Sequence, residues 1–64
     1  MTFGENIANR RKENGLTQEQ LAKQVCVSRP MIAQIERGSK APTVPLALHI
    51  ARVLNCSLMD LVVE

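Results

Sequence analysis

Five residues, Thr2, Thr17, Ser28, Thr43 and Ser57, each stand immediately before a stretch whose apolar positions recur with helical period. A helix leaves its first backbone N–H groups without partners, and a Ser or Thr oxygen ahead of the first turn accepts from one of them. Three of the five have a capping partner three positions on: Thr2 with Glu5, Thr17 with Gln20 and Ser57 with Asp60, the last with Asp in place of Glu. Leu16 with Leu21 and Val27 with Ile32 have the spacing of hydrophobic staples. Gly15, Gly38 and Asn55 fall where a left-handed residue ends a helix, and Pro42 bars the third helix from running into the fourth. This punctuation predicts five helices, near 3–14, 18–25, 29–37, 44–54 and 58–63, and an all-α fold.

Composition agrees. The chain has 64 residues, 45% of them hydrophobic, with one Phe and no Trp or Tyr, so a sheet has little to build on. A single domain over 1–64 is expected, with no repeat, low-complexity segment or linker. No apolar run approaches the roughly 18 residues of a membrane helix, and no charged-then-apolar leader is visible; the expected location is the cytoplasm. In a reducing compartment Cys26 and Cys56 read as small buried or half-buried apolar residues. A disulfide is the lesser alternative, and a zinc site is weaker still, with one His and no CxxC spacing. Net charge is only +2, but its distribution is uneven. Arg10, Arg11 and Lys12 cluster early and Arg29, Arg37 and Lys40 in the middle, while the stretch after Arg52 carries only Asp60 and Glu64.

The apolar stripes place Phe3, Ile7 and Arg11 on one face of the first helix, and Leu21, Ala22 and Val25 on the second. Ile32 and Ile35 line the third, Ala47, Ile50, Ala51 and Leu54 the fourth, and Leu58, Leu61 and Val62 close the bundle. Leu16, Val27 and Val44 are read as plugs at the joints.

The stretch TQEQLAKQVCVSRPMIAQIERG, residues 17–38, sets two short helices on either side of Cys26 and Val27. A connection that short forces the helices to cross steeply. It needs a small residue at the crossing, an apolar plug at the joint and an inward pair on the second helix. Ala22, Val27 and the pair Ile32 and Ile35 meet those packing requirements of a helix-turn-helix. The outward face of the second helix is then Arg29, Pro30, Ala33, Gln34 and Arg37, with no large apolar group. A slim polar helix of this kind fits the major groove, where Arg pairs with guanine and Gln with adenine. Gln18, where free N–H groups favour an anion, suits a DNA phosphate, and Ser39 and Lys40 flank the other side.

From Ile7 to Leu61 the chain resembles the Cro and phage-repressor family, the Xre-type regulators. The resemblance rests on RRKENGLTQEQLA, the VSRPMIAQIERG block, the Pro42-Thr43 start of the fourth helix, and NCSLMDL near the end. It implies a compact five-helix, lambda-repressor-like all-α domain acting as a sequence-specific transcriptional regulator of double-stranded DNA, with repression favoured. By matching position it makes helix 29–37 the recognition helix. Ser28, Arg29, Pro30 and Gln34 become its base-reading positions and Gln18 its phosphate anchor. It pairs Arg11 with Glu36 as a structural tie. Arg37 and Lys40 are expected on phosphate, Arg10 less so. Short members of the family serve as phage or mobile-element repressors, restriction-modification controllers and antitoxin subunits. Two positions depart from the family. Cys26 stands where Gly is usual, so a left-handed turn there costs roughly 1 kcal/mol. Pro30 has no side-chain donor and offers only apolar contact, such as to a thymine methyl, which throws readout onto Arg29 and Gln34.

Leu46 and Val53 lie seven apart on the fourth helix, outside its stripe, and Met59 and Val63 project from the last. Together they suggest a homodimer patch. Two-fold pairing doubles the base contacts and fixes the half-site spacing near one helical turn. The alternative is an antitoxin-like or adaptor module whose partner is a toxin or another protein. An enzyme is not expected: His49 has no nucleophile or carboxylate at a meaningful spacing, and neither a cofactor nor a metal is implied. RNA is poorly supported, since no aromatic platform exists for stacked bases.

Overall fold

The computed structural model describes residues 1–62, and its helices begin where their caps predict. They are α1 (Phe3–Glu13), α2 (Gln18–Gln24), α3 (Arg29–Arg37), α4 (Val44–Val53) and α5 (Leu58–Val62). All three capping boxes close reciprocally. Thr2 Oγ1 accepts from the Glu5 N–H at 3.1 Å while the Thr2 N–H donates to Glu5 Oε1 at 2.8 Å. Thr17 and Gln20 exchange the same bonds at 3.0 and 2.8 Å, and Ser57 and Asp60 at 3.2 and 3.0 Å. The N–H groups of Thr2 and Ser57, donating to the carboxylates of Glu5 and Asp60, hold both below their ordinary pKa, with the cap hydroxyls adding to the effect.

Helices α1 to α4 stop in one way. Gly15, Cys26, Gly38 and Asn55 adopt left-handed backbone, with φ of 71°, 60°, 85° and 59°. In each case the next N–H reaches back to the final turn: Leu16 to Arg11 O, Val27 to Ala22 O, Ser39 to Gln34 O and Cys56 to Ala51 O, all at 3.0 Å. This is the Schellman closure, which satisfies carbonyls that a helix end leaves open. It is completed by an apolar residue turned inward, and Leu16, Val27 and Cys56 pack against the core in that slot. Val44, expected to plug the joint ahead of α4, is instead 66% exposed, and Cys56 is the plug at the joint ahead of α5. Burial pushes the Cys56 thiol upward in pKa. Cys26, expected to be at least half-buried, is exposed, because the left-handed turn throws its side chain outward.

The core is where the stripes meet. Ile7, Leu21, Ile32, Ile35, Ile50, Leu54 and Leu61 are all but fully buried, each worth roughly 1.5–3 kcal/mol of transfer free energy. α1 packs on α3 and α5, α2 on α3 and α4, and α4 on α5. Polar ties fasten the ends of α1: Asn6 Nδ2 donates to Leu61 O at 2.8 Å and Asn14 Nδ2 to Leu54 O at 3.2 Å.

Two surface expectations need correction. Leu46 and Val53 are half-buried and pack against the core rather than standing free of it. The α4 stripe contains two alanines, Ala47 and Ala51, whose small volume leaves room that the flanking Leu46 and Val53 fill. The large apolar side chains that α4 does expose are Val44 and Leu48. On α5, Val62 is 52% exposed instead of closing the core, and Met59 is exposed as expected; Val63 lies outside the described residues. No helix among the described residues is long and apolar enough to cross a membrane.

Candidate nucleic-acid interface

Ser28 starts α3 by accepting from the Met31 N–H at 3.3 Å, which uses an oxygen lone pair and leaves the hydroxyl proton to donate outward. Pro30 is the second residue of the helix, where no intrahelical N–H bond is lost. With Ile32 and Ile35 buried, the opposite face carries Arg29, Pro30 and Arg37 exposed, and Ala33 and Gln34 half-buried. Neither Arg29, Arg37 nor Lys40 forms an ion pair among the described residues, so their charge faces outward uncompensated. Glu36, the one acid of α3, is turned inward and 92% shielded at its side chain.

Inward, the expected tie between Arg11 and Glu36 is present. Arg11 Nε donates to Glu36 Oε2 at 2.7 Å and Nη2 to Oε1 at 3.3 Å. Nη1 donates to Leu16 O at 2.8 Å, so the guanidinium also clamps the plug between α1 and α2. Gln18, expected to be only an outward phosphate anchor, joins this group: its Nε2 donates to Glu36 Oε1 at 3.0 Å. A buried pair of this kind adds little net stability, but losing one partner would strand a charge.

The structure brings Gln18, Ser28, Arg29, Pro30, Gln34 and Arg37 together around α2 and α3, with Lys40 in the loop that follows. Two lesser candidates fall away from it. Ser39 Oγ donates to Gln34 O at 3.2 Å, so its proton is spent on the end of α3. Arg10 bears electrostatically on Cys56 and Asp60, at the start of α5. A shallow groove of about 290 Å³ between Thr2, Phe3, Gly4, Gly38, Lys40, Ala41 and Pro42 borders the surface, and its lining is mainly apolar. No metal-holding cluster of His, Cys, Asp or Glu exists among the described residues.

Sequence reasoning missed Gly4. A Cβ there would run into Ile35 O and lie 2.6 Å from Glu36 O, so only Gly lets α1 approach the end of α3 this closely. The available signal was a glycine, the poorest helix former after Pro, inside a well-capped first turn.

The helix-turn-helix family model matches residues 7–61. An uncharacterized HTH-type transcriptional regulator of Archaeoglobus fulgidus is 47% identical over 51 residues, covering 80% of this chain and 73% of its own. Among solved structures, the P22 c2 repressor in complex with a synthetic operator superposes with a TM-score of 0.93 at 35% identity, over 98% of this chain and 96% of that one. The biofilm master regulator SinR, in complex with DNA, gives 0.87 at 28% identity, over 94% and 97%. The match runs through both helices of the motif and through the capped, left-handed joints on either side of it. The chain belongs to the Cro/C1-type helix-turn-helix family of transcriptional regulators.

Proposed function

We propose that this protein represses transcription by binding a double-stranded operator as a homodimer, with α3 in the major groove. The observation that carries the reading is the outward face of α3. Arg29 and Arg37 are exposed there and without an ion-pair partner among the described residues, Gln34 lies half-buried beside them, and the one acid of the helix is buried against Arg11. Arg29 and Gln34 read base edges, Ser28 donates at the head of the helix and Pro30 contacts a thymine methyl. Gln18, Arg37 and Lys40 hold phosphates, which sets orientation without reading sequence. Occupancy of the operator then excludes RNA polymerase, an action that places the protein in the cytoplasm. The operator-bound P22 c2 relative supports repression over activation.

Pairing uses the α4–α5 side, where Leu48, Met59 and Val62 are exposed. Leu46 and Val53 contribute only the edges their half-burial leaves, and Val63 follows α5 in sequence. The test is a titration with duplexes selected from a random pool. Affinity should fall steeply as salt rises, and the selected sites should be palindromic. Arg29→Ala and Gln34→Ala should each cost about 1–3 kcal/mol of base discrimination; an unchanged sequence preference in both variants refutes the assignment. Leu48→Glu with Met59→Glu should shift sedimentation toward monomer, and a profile matching the parent's removes the pairing face.

A further inference from the structure

We infer that Glu36 is a positioning residue for DNA binding, because it aims the side-chain amide of Gln18 at the phosphate; this rests on the function proposed above. An amide has a donor end and an acceptor end, and the two differ little in shape. A phosphate oxygen accepts only, so Gln18 can anchor it only through an N–H. The Glu36 carboxylate also only accepts, and its Oε1 lies 3.0 Å from Gln18 Nε2. The reversed amide would set two oxygens against each other at that distance. Glu36 therefore dictates the orientation of the amide, takes one of its two protons, and leaves the second to donate outward. Arg11 completes the arrangement by donating to both carboxylate oxygens, Nε to Oε2 at 2.7 Å and Nη2 to Oε1 at 3.3 Å. It also cancels the negative charge that would otherwise lie beneath the phosphate. Three helices meet at this point: Arg11 from α1, Gln18 from α2 and Glu36 from α3. The phosphate anchor and the recognition helix are thus registered to each other by one carboxylate.

A double-mutant cycle on positions 18 and 36 tests this with selected and scrambled duplexes, under conditions where every variant is folded. In the parent, Gln18→Ala should weaken both duplexes alike, by about fivefold to tenfold, as expected for one phosphate hydrogen bond. In a Glu36→Gln background the same substitution should cost less than about twofold, since the amide there has already lost its orientation. Should Glu36→Gln fail to fold, Arg11→Met with Glu36→Leu replaces the pair by apolar groups of similar size, a change cores commonly tolerate. The same collapse of the Gln18 effect is expected in it. Equal losses in the parent and altered backgrounds overturn the inference while leaving the proposed function standing. A parent with no salt-sensitive DNA affinity overturns both. The free protein offers an independent reading by NMR. One Gln18 side-chain amide proton should exchange slowly with solvent and contact Glu36, and the other should exchange fast; two equivalent fast protons also overturn the inference.

Discussion

The joint between α2 and α3 and the joint between α4 and α5 follow one plan and deliver helices with different uses. Each passes through a single left-handed residue, Cys26 at φ 60° or Asn55 at φ 59°. Each then places a half-buried plug, Val27 or Cys56, and a serine that caps the next helix. The chemistry in the slots differs. Asn accepts left-handed backbone more readily than Cys does. Ser57 is answered by the carboxylate of Asp60, whereas the residue three after Ser28 is Met31, so no acid stands in the first turn of α3. The capping partner in α2 is likewise the neutral Gln20. The two helices of the motif thus dispense with a charged capping partner, and α5 keeps one. A shared backbone joint fixes where a helix departs; the outward side chains decide what it can meet.

The largest expected effect comes from breaking the support beneath one joint and sparing the other. α1 holds α3 through the close approach at Gly4, and holds α5 through Asn6 on Leu61 O. Gly4→Ala presses a methyl group into the backbone at Ile35 and Glu36 and should cost about 3 kcal/mol in urea unfolding. A loss below about 1 kcal/mol would show that the crossing yields freely. A smaller effect sharpens the contrast at the left-handed residues. Cys26→Gly should stabilise by about 1 kcal/mol. Asn55→Gly should gain almost nothing, since Asn tolerates the conformation and also donates to Asn14 Oδ1 at 3.2 Å. Equal gains would erase the distinction.

The smallest effect is electrostatic. Folding lowers the pKa of Asp60, so its cap contributes stability that is present above the ordinary carboxylate range and lost as pH falls through the depressed folded value. Asp60→Asn should unfold at lower denaturant than the parent at neutral pH, and the gap should narrow in acid as pH falls through the depressed folded value. The gap persisting unchanged in acid would mean that the carboxylate charge contributes nothing to the cap. No such dependence is expected at the start of α3, where nothing in the cap titrates in that range.

The elements themselves were legible because the rules that place them act over a few residues. Thr2, Thr17, Ser28, Thr43 and Ser57 open helices by hydrogen bonds within their own first turns. Gly15, Gly38 and Asn55 close them by a local backbone conformation, and Cys26 shows that the turn keeps its shape without glycine. The recognition face followed from the same arithmetic, since burying Ile32 and Ile35 turns Arg29, Gln34 and Arg37 outward. The α4 surface was not legible in this way. Whether Leu46, Val53, Val44 or Leu48 meets solvent depends on how much volume neighbouring helices leave beside Ala47 and Ala51. Gly4 and the second role of Gln18 were hidden for a related reason. Each is defined by a partner on α3, far away in the chain: the backbone of Ile35 and Glu36 for one, the Glu36 carboxylate for the other. Sequence alone determined where the helices start, where they stop and which way the reading helix faces, because those depend on near neighbours. Tertiary structure alone decided which apolar residues stay exposed and how the Gln18 side chain is held, because those depend on what packing brings alongside.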